Sequence, residues 1–201
     1  MREPVRTPSS GSCSAPRCSI IVTLLRRFEG AAHVPFACRG PPHLVSPGRV
    51  ISEPTATMDL AATWLDLAGL GTNAAGMQGV TSRSLTGVLK GDLNRSRDYV
   101  SSGLKHWRMV VRRQCASCAL LKYICCRGSN CQVGRAAISE KPSAWTEMLF
   151  DVSEGKDWRE MKNLLRGDAR AKWSVTAAEM RALLPPEFAA GCKNVQVIVD
   201  E

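Results

Sequence analysis

Residues 107–126, WRMVVRRQCASCALLKYICC, hold two runs rich in β-branched, aromatic and long apolar side chains on either side of a small-residue segment. Such runs favour pleated, half-buried strands, so 107–113 and 120–126 are expected to form an antiparallel hairpin around QCASCA, residues 114–119. Side chains alternate across a strand. Arg108, Arg112 and Lys122 are therefore expected to face solvent or an anionic neighbour, leaving Met109, Val111, Tyr123 or their neighbours to meet the core. Downstream, LFDVSEGKDWREMKNL at 149–164 reads as a strand (146–152) running into a helix that starts at Asp157. Glu160, three residues on, completes a capping box, and Met161, Leu164 and Leu165 supply an apolar face. A second helix is expected from Thr176, with Glu179 as its capping acid, Met180, Leu183 and Leu184 as its inner face, and Pro185 and Pro186 as its stop. A strand at 98–102 and another at 195–199 complete an α+β reading: an antiparallel sheet covered by helices.

The upstream half has a different texture. Residues 32–38 form a short apolar run containing Pro35, which lacks a ladder donor and suits an edge strand or a strand end. RGPPHLVSPG, residues 39–48, is a loop by its turn residues. A helix is expected over 52–69, capped by Ser52, with Pro54 in its first turn and Gly69 in the left-handed closing position. Met58, Ala61, Ala62, Leu65 and Ala68 make one apolar stripe and Leu60, Trp64 and Leu67 another, leaving only Asp59, Thr63 and Asp66 as a narrow polar face. That pattern predicts a helix packed over most of its circumference. A short helix at 82–90 follows, and residues 127–145 are a polar, glycine-containing excursion.

The chain has 201 residues and 44% hydrophobic content, enough for one core of ordinary size. Its formal charge of +9 is concentrated in residues 1–50, with seven Arg against two Glu, and in residues 101–150, with eight bases against two acids. Nucleic acid, an anionic membrane and sulfated or phosphorylated ligands all suit that balance, and charge selects none of them. The nine cysteines are an odd number, so they do not define a closed disulfide framework or a compartment. The apolar run at 18–25 is too short to span a bilayer and is followed by Arg26 and Arg27, so no membrane span is expected. Residues 1–27, rich in Arg, Ser and Pro with Glu3 as their single acid, read as a disordered or transit-like tail.

Three segments in order carry a family resemblance. FEGAAHVP at 28–35 with FACRGP at 36–41 resembles the sulfatase segment in which an aromatic residue, Glu and Gly precede a basic residue, Val and Pro. GRVISEPTATMDLAATWLDLAGL at 48–70 is similar to the family's helix with an early Asp and a Leu-Ala-Gly ending. KYICC at 122–126, LFDV at 149–152 and the set Asp157, Glu160, Asn163 and Leu164 resemble its C-terminal sheet and the helix behind it. The resemblance covers roughly residues 28–166 and is nearest to choline-sulfatase-like members. It implies a sulfuric ester hydrolase of the alkaline-phosphatase-like superfamily, with 28–93 as the end of the catalytic domain and 94–201 as the C-terminal subdomain.

The family works with a formylglycine made in a C-x-P-x-R motif and a calcium ion held by Asp and Asn side chains, a hard cation on oxygen ligands. Residues 1–50 contain no Asp, and Glu3 and Glu29 are their only carboxylates. CSAPR at 13–17 misses the motif because its proline stands three residues after Cys13 rather than two, and it lies too near Phe28. Leu24 stands where relatives carry a sulfate-contacting lysine. No catalytic and no metal-ligating residue is therefore expected in this chain, and no cofactor, although calcium is implied for the intact family; the chain is expected to be inactive alone. A missing catalytic portion and self-association through exposed apolar surface are the partners this implies, with a sulfate ester as substrate only when the chain is completed. Glu29 and His33, which occupies the family's basic position, are candidates for the rim of the active site.

Two other readings come from the residues themselves. Cys115, Cys118, Cys125, Cys126 and Cys131 form a thiolate cluster with a C-x-x-C pair, suited to zinc or to redox chemistry, although the gap from Cys118 to Cys125 is short for a zinc ribbon. Arg108, Arg112, Arg113, Lys122 and Arg127 would give the hairpin an anion- or nucleic-acid-binding face, with Trp107 and Tyr123 for stacking.

Overall fold

A computed structural model describes residues 19–20, 34–71, 81–114, 119–128, 132–133, 136–137, 144–153, 156 and 160–193. In chain order, β1 (Ser19–Ile20) pairs antiparallel with β2 (Phe36–Ala37), the latter inside the apolar run expected to give a strand end. Helices α1 (Asp59–Leu67) and α2 (Thr86–Lys90) follow. Strands β3 (Tyr99–Leu104), β4 (Trp107–Gln114), β5 (Ala119–Arg127) and, after the short pair β6 (Gln132–Val133) and β7 (Ala136–Ala137), β8 (Trp145–Asp151) come next. Helices α3 (Ala169–Arg181) and α4 (Pro186–Lys193) close the described chain.

The main sheet has the order β3-β4-β5-β8, antiparallel throughout. The expected hairpin is its centre, with Trp107 opposite Cys126 and Gln114 opposite Ala119. Both faces are covered, which explains why β5 reads as a continuous apolar run rather than an alternation. On one face Val110, Leu121, Tyr123, Cys125 and Leu149 pack with Leu165, Ala177, Met180, Leu184, Phe188 and Cys192 of the helical segment. On the other, Met109, Ile124, Cys126, Met148, Phe150 and Val152 form a second cluster with Trp107 and Leu120.

Three helix expectations need correction. The helix expected from Ser52 begins at Asp59, because the Asp59 carboxylate reaches back to accept the Ala56 N–H at 3.0 Å and fixes the turn before it; Met58 takes the N-cap position without a side-chain bond. Two of its three polar-stripe residues also face inward, while Asp66 is exposed. Asp59 and Thr63 are buried with Ala62, whereas Trp64 and the flanking Met58 and Leu70 are 40%, 45% and 58% exposed. Gly69 does take the left-handed conformation, at φ 72°.

The helix expected from Asp157 fails over its described part. Asp157 itself lies outside the described residues, but Glu160 has φ 54° and residues 160–163 are not helical. Glu160 instead turns inward to Lys122, and this segment serves as a cover for the sheet edge. Leu164 N–H donates to Leu149 O at 2.8 Å, and Asn163 Oδ1 accepts from Leu149 N–H at 3.0 Å.

The second capping box is also misplaced, since Thr176 lies in mid-helix within Ala169–Arg181. Trp173, Ala177 and Met180 recur at helical spacing and pack on the sheet, so the helix begins at Ala169, just after Gly167 at φ 57°. Pro186 does not only follow this helix; it opens α4, where a missing N–H costs nothing. The strand expected at 195–199 lies outside the described residues.

Candidate functional site

The residues expected at the active-site rim, Glu29 and His33, lie outside the described residues, as do Cys115, Cys118 and Cys131. Cys125 and Cys126 are adjacent in β5 and belong to opposite faces, as alternation requires. Cys125 is joined to Cys192 of α4 by a disulfide across 67 residues of sequence, and Cys126 is disulfide-bonded as well. Neither sulfur is a thiolate in this structure. Among the described residues no three His, Cys, Asp or Glu side chains converge as a metal site.

The hairpin's bases do not make one continuous face. Lys122 is fully buried, with its ammonium 2.7 Å from Glu160 Oε1. The Arg113 guanidinium meets Glu53 at 2.6 Å and donates to Ser52 O at 2.8 Å, tying β4 to the segment before α1. Arg112 stands 3.8 Å from Glu179 on α3. Arg108 lies over the Phe188 ring, 4.3 Å from its centroid, and donates to the carbonyls of Trp107 and Lys105.

A second polar cluster was missed at the level of sequence. Glu147, in the buried strand β8, accepts from Arg170 at 3.0 Å, from Arg181 at 2.7 Å and from the Tyr123 hydroxyl at 2.9 Å. One carboxylate thus fastens both ends of α3 to the sheet. Burial, and then the charge of Glu147, push the Tyr123 phenol well above its ordinary value of 10.0. For Arg181, burial opposes the charged form, yet its bonds to Tyr123 and Glu147 outweigh that and raise it. The available signal was an acid placed in the middle of WTEMLFD, since a charge inside a buried strand needs a partner.

Asp59 plays a similar part upstream. Its carboxylate receives the Arg97 guanidinium and the Arg83 N–H, the latter at 2.9 Å, while Thr63 Oγ1 accepts from Leu85 N–H at 2.9 Å. This is why Asp59 and Thr63 of α1 face inward, and their role is to join α1, α2 and the lead into β3.

Two cavities of about 200 Å3 lie beside β3, β4 and the turn between them. One is lined by Ser101, Ser102, Gly103, Met109, Leu184 and Pro185 with one side of Arg108. The other, of about 210 Å3, is lined by Lys105, His106, Arg127, Trp145, Glu187 and Phe188. In the second, Trp145 and Phe188 meet edge to face with centroids 5.3 Å apart, and Arg127 lies 5.7 Å from the Trp145 ring centre. Phe188 is buried and its ring is already packed by Arg108 and Trp145, so the exposed residues of this lining are Lys105, His106, Arg127 and Glu187.

Comparison with known proteins gives one relationship of note. A stretch of 69 residues, 34% of the chain, is 42% identical to steryl-sulfatase of Mus musculus, and covers 11% of that protein. The chain therefore spans about a tenth of the length of the curated relative it matches. No family model matches the chain. No solved structure matches it either.

Proposed function

We propose that this chain is the C-terminal portion of a sulfatase of the alkaline-phosphatase-like superfamily, a sulfuric ester hydrolase, and that its described residues support the catalytic centre rather than form it. The observation that carries this reading is the 42% identity to mouse steryl-sulfatase over 69 residues. The antiparallel hairpin sheet, where the resemblance placed its C-terminal sheet, is consistent with it. In this reading residues 28–93 are the end of the catalytic domain and 94–201 the C-terminal subdomain. The exposed apolar side chains in and beside α1, Met58, Trp64 and Leu70, are then surface on which the remainder of a catalytic domain rests.

The donor groups among the described residues do not suit the family's calcium ion, so no calcium-dependent step is assigned to them. Their buried acids are spent on structure: Glu147 on two arginines, Glu160 on Lys122, and Asp59 on Arg97. The test is direct. The purified chain should hydrolyse 4-nitrocatechol sulfate no faster than buffer, and 1 mM calcium should move its melting temperature by less than about 1 °C, because a ligand without a native site adds no stability. Turnover, or a calcium-dependent rise in melting temperature, would contradict the scaffold role.

A further inference from the structure

We infer that Asn94 is the acceptor of an N-linked oligosaccharide, attached as the chain enters an oxidising secretory lumen. Of the five Asn in the chain, only the one in Asn94-Arg95-Ser96 meets the N-x-Ser/Thr pattern, with a residue other than proline between. A three-residue pattern recurs by chance. Three features of the fold, none of them dependent on sulfatase ancestry, single this one out.

Asn94 lies in the connection between α2, which ends at Lys90, and β3, which starts at Tyr99, and residues 91–95 are all exposed. Gly91 closes α2 at φ 95°, the Leu93 N–H donates back to Gly87 O at 3.0 Å, and Arg97 on the far side is tied to buried Asp59. The connection is thus anchored at both ends. Between the anchors the Asn94 side chain has no hydrogen-bond partner among the described residues, so a glycan there displaces no bond of the fold. Ser96 supplies the second feature. Its hydroxyl is buried without a hydrogen-bond partner among the described residues, although its carbonyl accepts from Arg83 at 3.3 Å. An unpaired buried hydroxyl opposes folding, and alanine would fill the same place without a polar atom to satisfy. The hydroxyl has a use earlier, in the extended nascent chain, where the glycosyl transferase reads a Ser or Thr two residues after the acceptor. The third feature is compartment. Cys125 is bridged to Cys192 and Cys126 is disulfide-bonded too, and such bonds persist in the oxidising lumen where that transferase works.

The donor is an oligosaccharide carried on a membrane lipid through a diphosphate. Asn94 Nδ2 forms a bond to the anomeric carbon of the first sugar while the bond from that carbon to the diphosphate oxygen breaks. The lipid diphosphate leaves with the electron pair, and the amide nitrogen gives up one of its two protons to a base of the transferase. Nothing is oxidised or reduced.

The experiment produces the full chain behind a cleavable secretory signal in cultured human cells and treats it with peptide N-glycosidase F in heavy-oxygen water. One downward step in apparent mass is expected, with the glycosidase leaving a heavy-oxygen aspartate in the peptide that carried Asn94. Asn94→Gln and Ser96→Ala should each abolish the step. Both should melt within about 2 °C of the deglycosylated wild type, because one alters an exposed side chain and the other removes an unpaired hydroxyl. The peptide measurement on the wild type locates the glycan even where a variant fails to fold. A wild-type chain without a glycosidase-sensitive step, a label absent from that peptide, or a step that survives either substitution overturns the proposal.

Discussion

Glu147 is the residue on which most of the buried polar chemistry depends, since its two oxygens serve Arg170, Arg181 and Tyr123 together. Glu147→Gln removes the counter-charge from two partly exposed arginines, and chemical denaturation should show a loss of about 2 kcal/mol, below the cost for a fully buried pair. Tyr123 supplies a pH signature of the same cluster. Its folded pKa is raised, so the protonated phenol stabilises the fold fully below pH 10.0, and stability falls as pH climbs above that value while the unfolded phenol ionises. Tyr123→Phe should flatten that alkaline decline, as read from melts between pH 9 and pH 11, roughly the interval over which an unperturbed phenol titrates. On the opposite face the Lys122–Glu160 pair is fully buried. Lys122→Met alone should cost about 3 kcal/mol by leaving a carboxylate in the core, whereas adding Glu160→Leu should recover most of it; equal losses in both proteins would show that the charge pair is not the cause.

At the scale of the elements, α4 is the part whose docking is most sharply specified. Gly191 lies so close to Trp145 that a Cβ there would overlap the indole, which is a rigid ring and cannot be pushed aside like a flexible chain end. Gly191→Ala should therefore loosen α4 and lower the melting temperature, and Cys192→Ser should remove about 4 kcal/mol by releasing a 67-residue closure. The sheet was legible in the sequence because its strands are runs of β-branched and aromatic residues with short connections, and the α+β class followed from them. The helices were less legible. Ser52, Asp157 and Thr176 each matched a cap pattern, but a cap pattern is local, and tertiary bonds decided otherwise: Asp59 was drawn to Arg97, and Glu160 was drawn to Lys122. Binary patterning failed on α1 for the same reason, because a buried Asp and Thr with specific partners look like a solvent face in sequence. Of the candidate site, Arg127 is the one residue that stands out in the sequence, as one of the hairpin's bases. The convergence was not legible, since Lys105, Arg127, Trp145 and Phe188 come from four separate stretches of chain.

Taken as a whole molecule, the chain combines a sheet covered on both faces with a helix that exposes large apolar side chains in and beside it. Met58, Trp64 and Leu70 expose large apolar side chains near one another in sequence, a composition that favours contact with another surface. The isolated chain should therefore self-associate in sedimentation velocity, and Met58→Ser with Trp64→Ser should shift it toward monomer; a wild-type chain that remains monomeric contradicts the exposed-face reading. No described helix is long and apolar enough to cross a membrane. The central claim, that this is a supporting portion of a sulfatase, is tested most directly by replacing the matched segment of mouse steryl-sulfatase with the corresponding 69 residues of this chain and measuring aryl sulfate hydrolysis. The account predicts turnover by the chimera and none by the isolated chain; a chimera that folds but is inactive, or an isolated chain that turns over the ester, would contradict it.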